Sequence, residues 1–431
     1  MRISQAVCLI CLGFALSYGA TPIKKDVQKF QVDGLLPKAQ KTSLVLKDLI
    51  ANAQKNYQIL AKDDGIAKSE AEKMSAYLEF GPTITAGYQY EYQTNPSSPD
   101  SSYIGSQNVS VGLKYDLYTG FSSINKVRQK SAEIRANVAD KKYTLESLYL
   151  QIVQQYYAYF THYSNLQSLK QKKTLLDSNV QRLQRLYRSG LSTINDVEAL
   201  KAEASLTEYQ IAQAELDVEQ SRLNLELLAN TEVKSLARVT IKNPKLKTSK
   251  TRSDIIALTE QAQSLDFQKR QITYAPTISL YDNFIFNPDG ISSVTNDKFS
   301  NTVGISVSMQ FDSMSRYMQK EAVGLSYLQA MKNVAYKKEE QKKDIKLYRK
   351  SLEIAQAKVK SAEAGLKSAM IAFENVSKQY DAQLVNYVDY LNALSQKFTA
   401  EATYVESLNN YEIQKANFVF YSGQDLKQYI Q

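Results

Sequence analysis

Four stretches of the chain alternate apolar and polar residues with a period of two. In residues 83–93, Ile84, Ala86, Tyr88, Tyr90 and Tyr92 face one way, and Thr83, Thr85, Gly87, Gln89, Glu91 and Gln93 face the other. Residues 108–118 set Val109, Val111, Leu113, Tyr115 and Leu117 against Ser110, Gly112, Lys114 and Asp116. Residues 302–311 set Val303, Ile305, Val307, Met309 and Phe311 against Gly304, Ser306, Ser308 and Gln310. Residues 277–286 follow the rule less strictly, because Asp282 falls on the apolar side. A period of two predicts strands with one apolar face. Each run has about the 9–11 residues that a tilted strand needs to cross a bilayer.

After each strand pair the period changes. From 122 to 188 the chain holds neither Pro nor Gly and reads as one helix; 314–379 repeats this, with Gly324 and Gly365 tolerated. A helix of about 65 residues spans roughly 100 Å. Returning helices are predicted over 193–229 and 387–421. Apolar steps of three and four mark a coiled-coil seam through Ile345, Tyr348, Leu352, Ala355, Val359, Ala362, Leu366, Ala369, Phe373, Val376 and Tyr380. A second seam runs through Leu200, Ala204, Thr207, Ile211, Ala214, Val218, Ser221, Leu225 and Leu228.

The pattern occurs twice. Tyr187 and Tyr380 are 193 residues apart, as are Asp196 and Asp389, while Pro82 and Pro276 are 194 apart. A common offset across separate landmarks marks two copies of one structural unit. The first repeat occupies 20–230 and the second 254–431. Between them, 231–253 is strongly basic, with Lys234, Lys242, Lys245, Lys247 and Lys250, and reads as a solvated linker.

Composition narrows the setting. Arg2, an apolar core over 6–16 and small residues before Ala20 predict a secretory signal peptide over 1–19. Both cysteines, Cys8 and Cys11, lie within it, so the exported chain has none. The 53 Lys and Arg exceed the 44 Asp and Glu, and loss of Arg2 leaves +8. Most of these charges are interspersed along helices, and an exported protein has little access to nucleic acid, so no nucleic-acid partner is expected.

Catalytic and metal chemistry are missing from the sequence. His162 is the only histidine, and there is no His/Cys cluster, P-loop or nucleophile–base pair. We expect no enzymatic activity and no cofactor or metal. Seven methionines and no exported cysteine also argue against a dedicated soft-metal duct.

Four strands cannot close a barrel, and an open sheet in lipid leaves edge N–H and C=O groups unpaired at several kcal/mol each. Other copies must complete the sheet. Two would supply eight strands and three would supply twelve, and strand physics does not choose between them. Tyr115, Tyr118, Phe121, Tyr274 and Phe311 gather at strand ends, as interfacial aromatic belts do. A non-conducting coiled-coil protein of the cell envelope is the rival reading, but it has no use for four bilayer-length alternating segments.

The duplicated strand–strand–long-helix unit resembles the TolC family of outer-membrane efflux ducts over essentially all of the exported chain. The resemblance also rests on the turn Tyr187-Arg-Ser-Gly-Leu-Ser-Thr-Ile-Asn-Asp196-Val197 and its degenerate copy at Tyr380–Tyr390. The strand exit Tyr118-Thr-Gly-Phe121, echoed by Phe311-Asp-Ser-Met314, adds a partial match.

The resemblance implies a mainly α protein with membrane β structure. Its homotrimer would form a twelve-stranded β-barrel in outer-membrane lipid, continuing into a twelve-helix periplasmic α-barrel. The implied function is passive export in a tripartite multidrug-resistance-type efflux system or a type I secretion system, with an inner-membrane pump and a periplasmic adaptor as partners. By position, Gly190, Leu191, Ser192, Gln383 and Leu384 match adaptor-docking tips, although Gly190 is also a natural helix C-cap. Asp196 and Tyr380 match a hydrogen-bonded pair at the periplasmic gate, and Asp389 matches an acidic ring. Val385 stands where the family prototype has a closing Arg, and Asn392 where it has a second Asp of the gate.

Overall fold

The computed structural model describes residues 43–94, 103–288, 298–310, 313–382 and 384–430. The signal peptide, Phe311, Gln383 and most of the two loops between paired strands lie outside the described residues.

Two short helices, α1 (Leu46–Ala53) and α2 (Tyr57–Leu78), lead into strands β1 (Thr83–Thr94) and β2 (Tyr103–Tyr118). Helix α3 (Ser122–Arg188) runs 67 residues and α4 (Ile194–Ala229) returns beside it. The second unit repeats the order with α5 (Ser253–Gln271), β3 (Thr277–Phe286), β4 (Phe299–Ser308), α6 (Ser313–Asp381) and α7 (Tyr387–Tyr421), followed by a single 3-10 turn, Leu426–Tyr429. The fold is predominantly helical with one four-stranded sheet. Among the described residues no helix is both long and apolar enough to cross a membrane.

The strands form one antiparallel sheet in the order β1-β2-β3-β4. Register places Ile84 beside Leu113, Leu113 beside Asp282, and Asp282 beside Val303, so one face collects the apolar side chains. Ile84, Tyr88, Val111, Leu280, Phe284, Val303 and Ile305 on that face are all exposed. Asp282 interrupts it, with its Oδ1 buried and unpartnered. The opposite face is polar, and there Ser279 Oγ donates to Asp116 Oδ1 at 2.6 Å. Strand β4 pairs from Phe299 to Ser308, about three residues earlier at each end than its alternation alone indicates; the ladder ends where Thr277, the first residue of β3, pairs with Ser308.

The sheet joins α3 through a left-handed corner, with Gly120 at φ 62° and Phe121 at φ 64°. A Cβ on Gly120 would lie 2.7 Å from the Ala275 Cβ and 2.8 Å from the Thr273 Cγ2, so the corner needs glycine both for its backbone and for the close approach. The Phe121 ring meets Tyr118 edge-on, with centroids 5.6 Å apart.

The seams read from the heptads are the buried stripes. Leu352, Ala355, Val359 and Leu366 are buried on α6, and Leu200, Ala204, Thr207, Ala214, Ser221 and Leu225 on α4. The largest core sits halfway along the long helices. There Leu148, Tyr149, Ile152, Val153, Tyr156, Tyr157 and Phe160 of α3 pack against α1, the end of α7 and the segment after α4.

That last segment corrects the reading of 231–253 as a solvated linker. Val233, Leu236 and Ile241 are buried in the main core. Leu44 pairs with Leu236 in a parallel bridge, Lys242 N–H donates to Tyr429 O at 2.9 Å, and Lys250 N–H donates to Ser422 O at 2.9 Å. Tyr157 Oη donates to Val239 O at 2.8 Å, and Tyr156 Oη donates to Ala237 O. The lysines are at the surface, but the backbone beneath them is a collar clasped to the helices.

Candidate functional site

The two helix turns, at the end of the long hairpins away from the sheet, gather most of the residues singled out from the sequence. Helix α3 ends in a Schellman cap: Gly190 N–H donates to Tyr187 O and Leu191 N–H to Leu186 O, both at 2.9 Å, with Gly190 at φ 73°. A hydrogen bond of the same span recurs at the second tip, where Leu384 N–H reaches Gln379 O at 2.9 Å. Helix α4 then starts with a capping box. Thr193 Oγ1 accepts from Asp196 N–H at 3.2 Å and donates to Asp196 Oδ2 at 2.8 Å. In the second copy Asn386 Oδ1 accepts from Asp389 N–H at 2.9 Å.

These caps hold the tips open to solvent. Leu191 is 71% exposed and Leu384 76% exposed, each an aliphatic side chain with no apolar cover. Beside the second tip an open groove of about 560 Å³ lies between α6 and α7, floored by Met370, Ile371 and Phe373 and edged by Glu374 and Lys397.

The gate residues are divided between the tips. Asp196 is committed to its own helix start, also receiving Ser192 Oγ at 3.5 Å. Tyr380 makes no hydrogen bond to it within one protomer. Its ring instead stacks on Tyr390 at 4.7 Å, and the Arg182 guanidinium lies over the Tyr380 ring at 5.2 Å from its centroid. Arg182 Nη1 also pairs with Asp381 Oδ1 at 2.6 Å, and Asn179 Nδ2 donates to Tyr390 Oη at 3.1 Å. Burial pushes the hydroxyls of Tyr380, Tyr387 and Tyr390 up, so all three stay neutral near pH 7. Asp389 and Asn392 are exposed and one helical turn apart, so they lie on one face of α7.

The structure thus unites Tyr380 with three residues the sequence did not single out: Asn179, Arg182 and Asp381. Arg182 and Asp381 are 199 positions apart. The available signal was polar residues one turn apart in the last turns of α3, facing a helix that bears the Tyr380 ring.

Comparison with known proteins fits this geometry. Residues 51–231 match the family profile described as outer membrane efflux protein. Over this segment the chain is similar to that family. The segment covers the first repeat, from α1 through the end of α4. The fold of the whole chain is that of solved outer-membrane channels. It is similar to a structure of CusC described in terms of transmembrane channel formation, with TM-score 0.76, 14% identity, and coverage of 94% of this chain and 98% of that one. It is equally similar to VceC of Vibrio cholerae, with TM-score 0.76, 15% identity, and coverage of 88% and 96%. The Campylobacter jejuni CmeC outer membrane channel matches with TM-score 0.76, 14% identity, and coverage of 89% and 87%. No individually curated protein matches the chain.

Proposed function

We propose that three copies assemble into one passive exit duct. The observation that carries this reading is the sheet: four strands of bilayer height, an exposed apolar face, and, among the described residues, no partner for either β1 or β4 on its outer edge. Unpaired strand edges in hydrocarbon are not viable, and closure by identical copies removes them. Three copies give twelve strands, and each copy continues into two hairpins whose longer arms span roughly 100 Å, building a twelve-helix tunnel behind the barrel. The count of three rests on the family resemblance; the need for closure rests on the sheet.

Cargo enters from an inner-membrane pump through a periplasmic adaptor, in tripartite efflux or type I secretion. The tips at Gly190, Leu191, Ser192, Gln383 and Leu384 are the adaptor contacts in this reading, supported by the bare Leu191 and Leu384 side chains. Asp196, Tyr380, Asp389 and Asn392 line the aperture, where threefold symmetry brings three Asp389 carboxylates together. Such a ring attracts cations and repels anions.

Single-channel recording in a planar bilayer tests the whole proposal. The trimer is expected to give discrete conductance with cation preference, and Asp389→Ala is expected to reduce that preference. Extraction without detergent, together with an absence of conductance, would instead establish a non-conducting envelope spacer. Unchanged selectivity in Asp389→Ala would retire the acidic ring alone.

A further inference from the structure

The collar carries a charge that the duct does not use. Residues 233–253 hold seven cationic side chains and no acidic one. Three of the seven have partners. Arg252 is buried against Asp254 at 2.6 Å and Asp344 at 3.0 Å, Arg238 Nε donates to Asn409 Oδ1 at 3.0 Å, and Lys234 lies 3.5 Å from Glu232. The remaining four are Lys242, Lys245, Lys247 and Lys250. All four are exposed, and among the described residues none makes an ion pair. On the helices lysines are interspersed with acidic residues, and Lys62, Lys130, Lys172, Lys201 and Lys358 each meet a carboxylate within 3.0 Å, whereas the collar segment has no acidic residue of its own.

These four ammonium groups stand on a fixed base. Gln424 Nε2 donates to Lys245 O at 3.1 Å and to Thr248 O at 2.8 Å, Gln341 Nε2 donates to Lys250 O at 2.7 Å, and Arg349 Nη2 donates to Leu246 O at 2.6 Å. The bonds hold backbone atoms only, leaving the lysine side chains unconstrained. A fixed backbone lowers the ordering cost of meeting several anions at once. The only carboxylate in the described C-terminal strap is Asp425, which accepts from Lys427 N–H and Gln428 Nε2 and is matched in charge by Lys427.

Position limits the partner. The collar packs on α3 around Tyr157, about 50 Å along the helix from the sheet and about 45 Å from the tip. Lipid headgroups and a partner at the tips are both far beyond the screening length of about 10 Å at 0.1 M salt. A tube extending this far behind the outer membrane must pass the cell-wall layer.

We infer that the exposed Lys242–Lys250 segment of the collar docks on the peptide-crosslinked glycan of the cell wall, whose carboxylates its lysines meet. Isolated contacts to exposed ammonium groups are weak, so retention requires several at once, which a repeating polymer supplies. The inference rests on the periplasmic placement of the helices and is independent of conduction.

The test uses the purified full chain in detergent and isolated wall sacculi freed of protein and nucleic acid. We expect the chain to co-sediment at low salt and to be released at 1 M salt. Replacing all four lysines by Gln should weaken retention about tenfold, and replacing them by Arg should preserve it. Sacculi with amidated carboxylates should retain the chain no better than the Gln variant is retained by native sacculi. Equal retention of the Gln variant, or undiminished capture by amidated sacculi, overturns the proposal; so does stronger capture by phosphatidylglycerol vesicles than by sacculi. A melting curve matching the parent confirms that the Gln variant is folded. Outer-membrane fractionation of the same cells reads placement separately, so a failure of placement is distinguishable from a failure of docking.

Discussion

The two repeats share one plan, yet their long helices do opposite things at mid-length. In α3 the stretch Leu148–Phe160 is aromatic and aliphatic and forms the centre of the largest core. The equivalent stretch of α6, 193 residues on, reads Gln341-Lys-Lys-Asp-Ile-Lys-Leu-Tyr-Arg-Lys-Ser-Leu-Glu353 and is mostly exposed. Tyr156 and Tyr157 correspond to Arg349 and Lys350. Duplication supplied two rods of nearly equal length, and the collar buries apolar side chains against only one of them. Where the collar touches α6 it does so through polar side chains: Gln341, Arg349, and the Arg252–Asp344 pair. Burial, rather than helix propensity, distinguishes the copies.

The sharpest test of that contrast removes one aromatic anchor. Tyr157→Ala should destabilise the chain by about 3–5 kcal/mol, since it deletes a fully buried ring. Lys350→Ala, at the equivalent position, should stay within about 0.5 kcal/mol. Melting midpoints of the detergent-solubilised protein compare them directly, and equal effects would dissolve the asymmetry.

The glycines give the next largest effect. Gly423 has φ 70°, and a Cβ there would overlap the Lys250 carbonyl oxygen. Gly423→Ala should cost about 2–3 kcal/mol and loosen the collar. Gly190 has φ 73° but nothing within 4 Å of a Cβ. Exchanging it for the second copy's residue, Gly190→Gln, should cost only about 1 kcal/mol, the backbone penalty alone.

Equivalent carboxylates sharpen the comparison further. Burial pushes the Glu146 carboxyl up to about 7, partly offset by the Leu426 N–H it accepts, while Lys342 holds its exposed counterpart Glu339 below the usual range. A raised folded value means the folded state favours the protonated form. That contribution is therefore complete below the ordinary carboxyl value near 4.5 and is lost as pH rises through about 7. Between pH 5 and pH 8 the parent should lose about 1–2 kcal/mol of stability from this group. Glu146→Gln should flatten the slope and Glu339→Gln should leave it in place, as read from melting at each pH.

A small effect on stability belongs to Arg182. Its pair with Asp381 is partly exposed, so Arg182→Ala should cost less than about 1 kcal/mol. In the duct we propose, its larger consequence is at the aperture, where single-channel conductance should rise. Asn375→Ala, at the equivalent position, should leave conductance unchanged.

The rods and the sheet were legible because both are periodic. Val303, Ile305 and Val307 define a strand face without knowledge of its partner, and Leu352, Val359 and Leu366 define a seam. The collar was not legible. Val233, Leu236 and Ile241 have no regular spacing, and the partners of that segment lie as far away as Tyr429. At the aperture, Tyr380 was visible by its offset from Tyr187. Arg182 was not, because its chemistry depends on a residue 199 positions away. Periodicity reports the burial of a face, whereas clasps between distant segments leave no period.

The Leu426 N–H reaches back 280 positions to the Glu146 carboxylate. The hairpin strands and the helix turns close between neighbours in sequence and can form early. The collar needs both repeats in place before its two sides can meet, and such distant closures are slow. The order of folding is therefore built into the topology: local hairpins first, the waistband last, with an interval in which Tyr156, Tyr157 and Phe160 are uncovered and vulnerable to association.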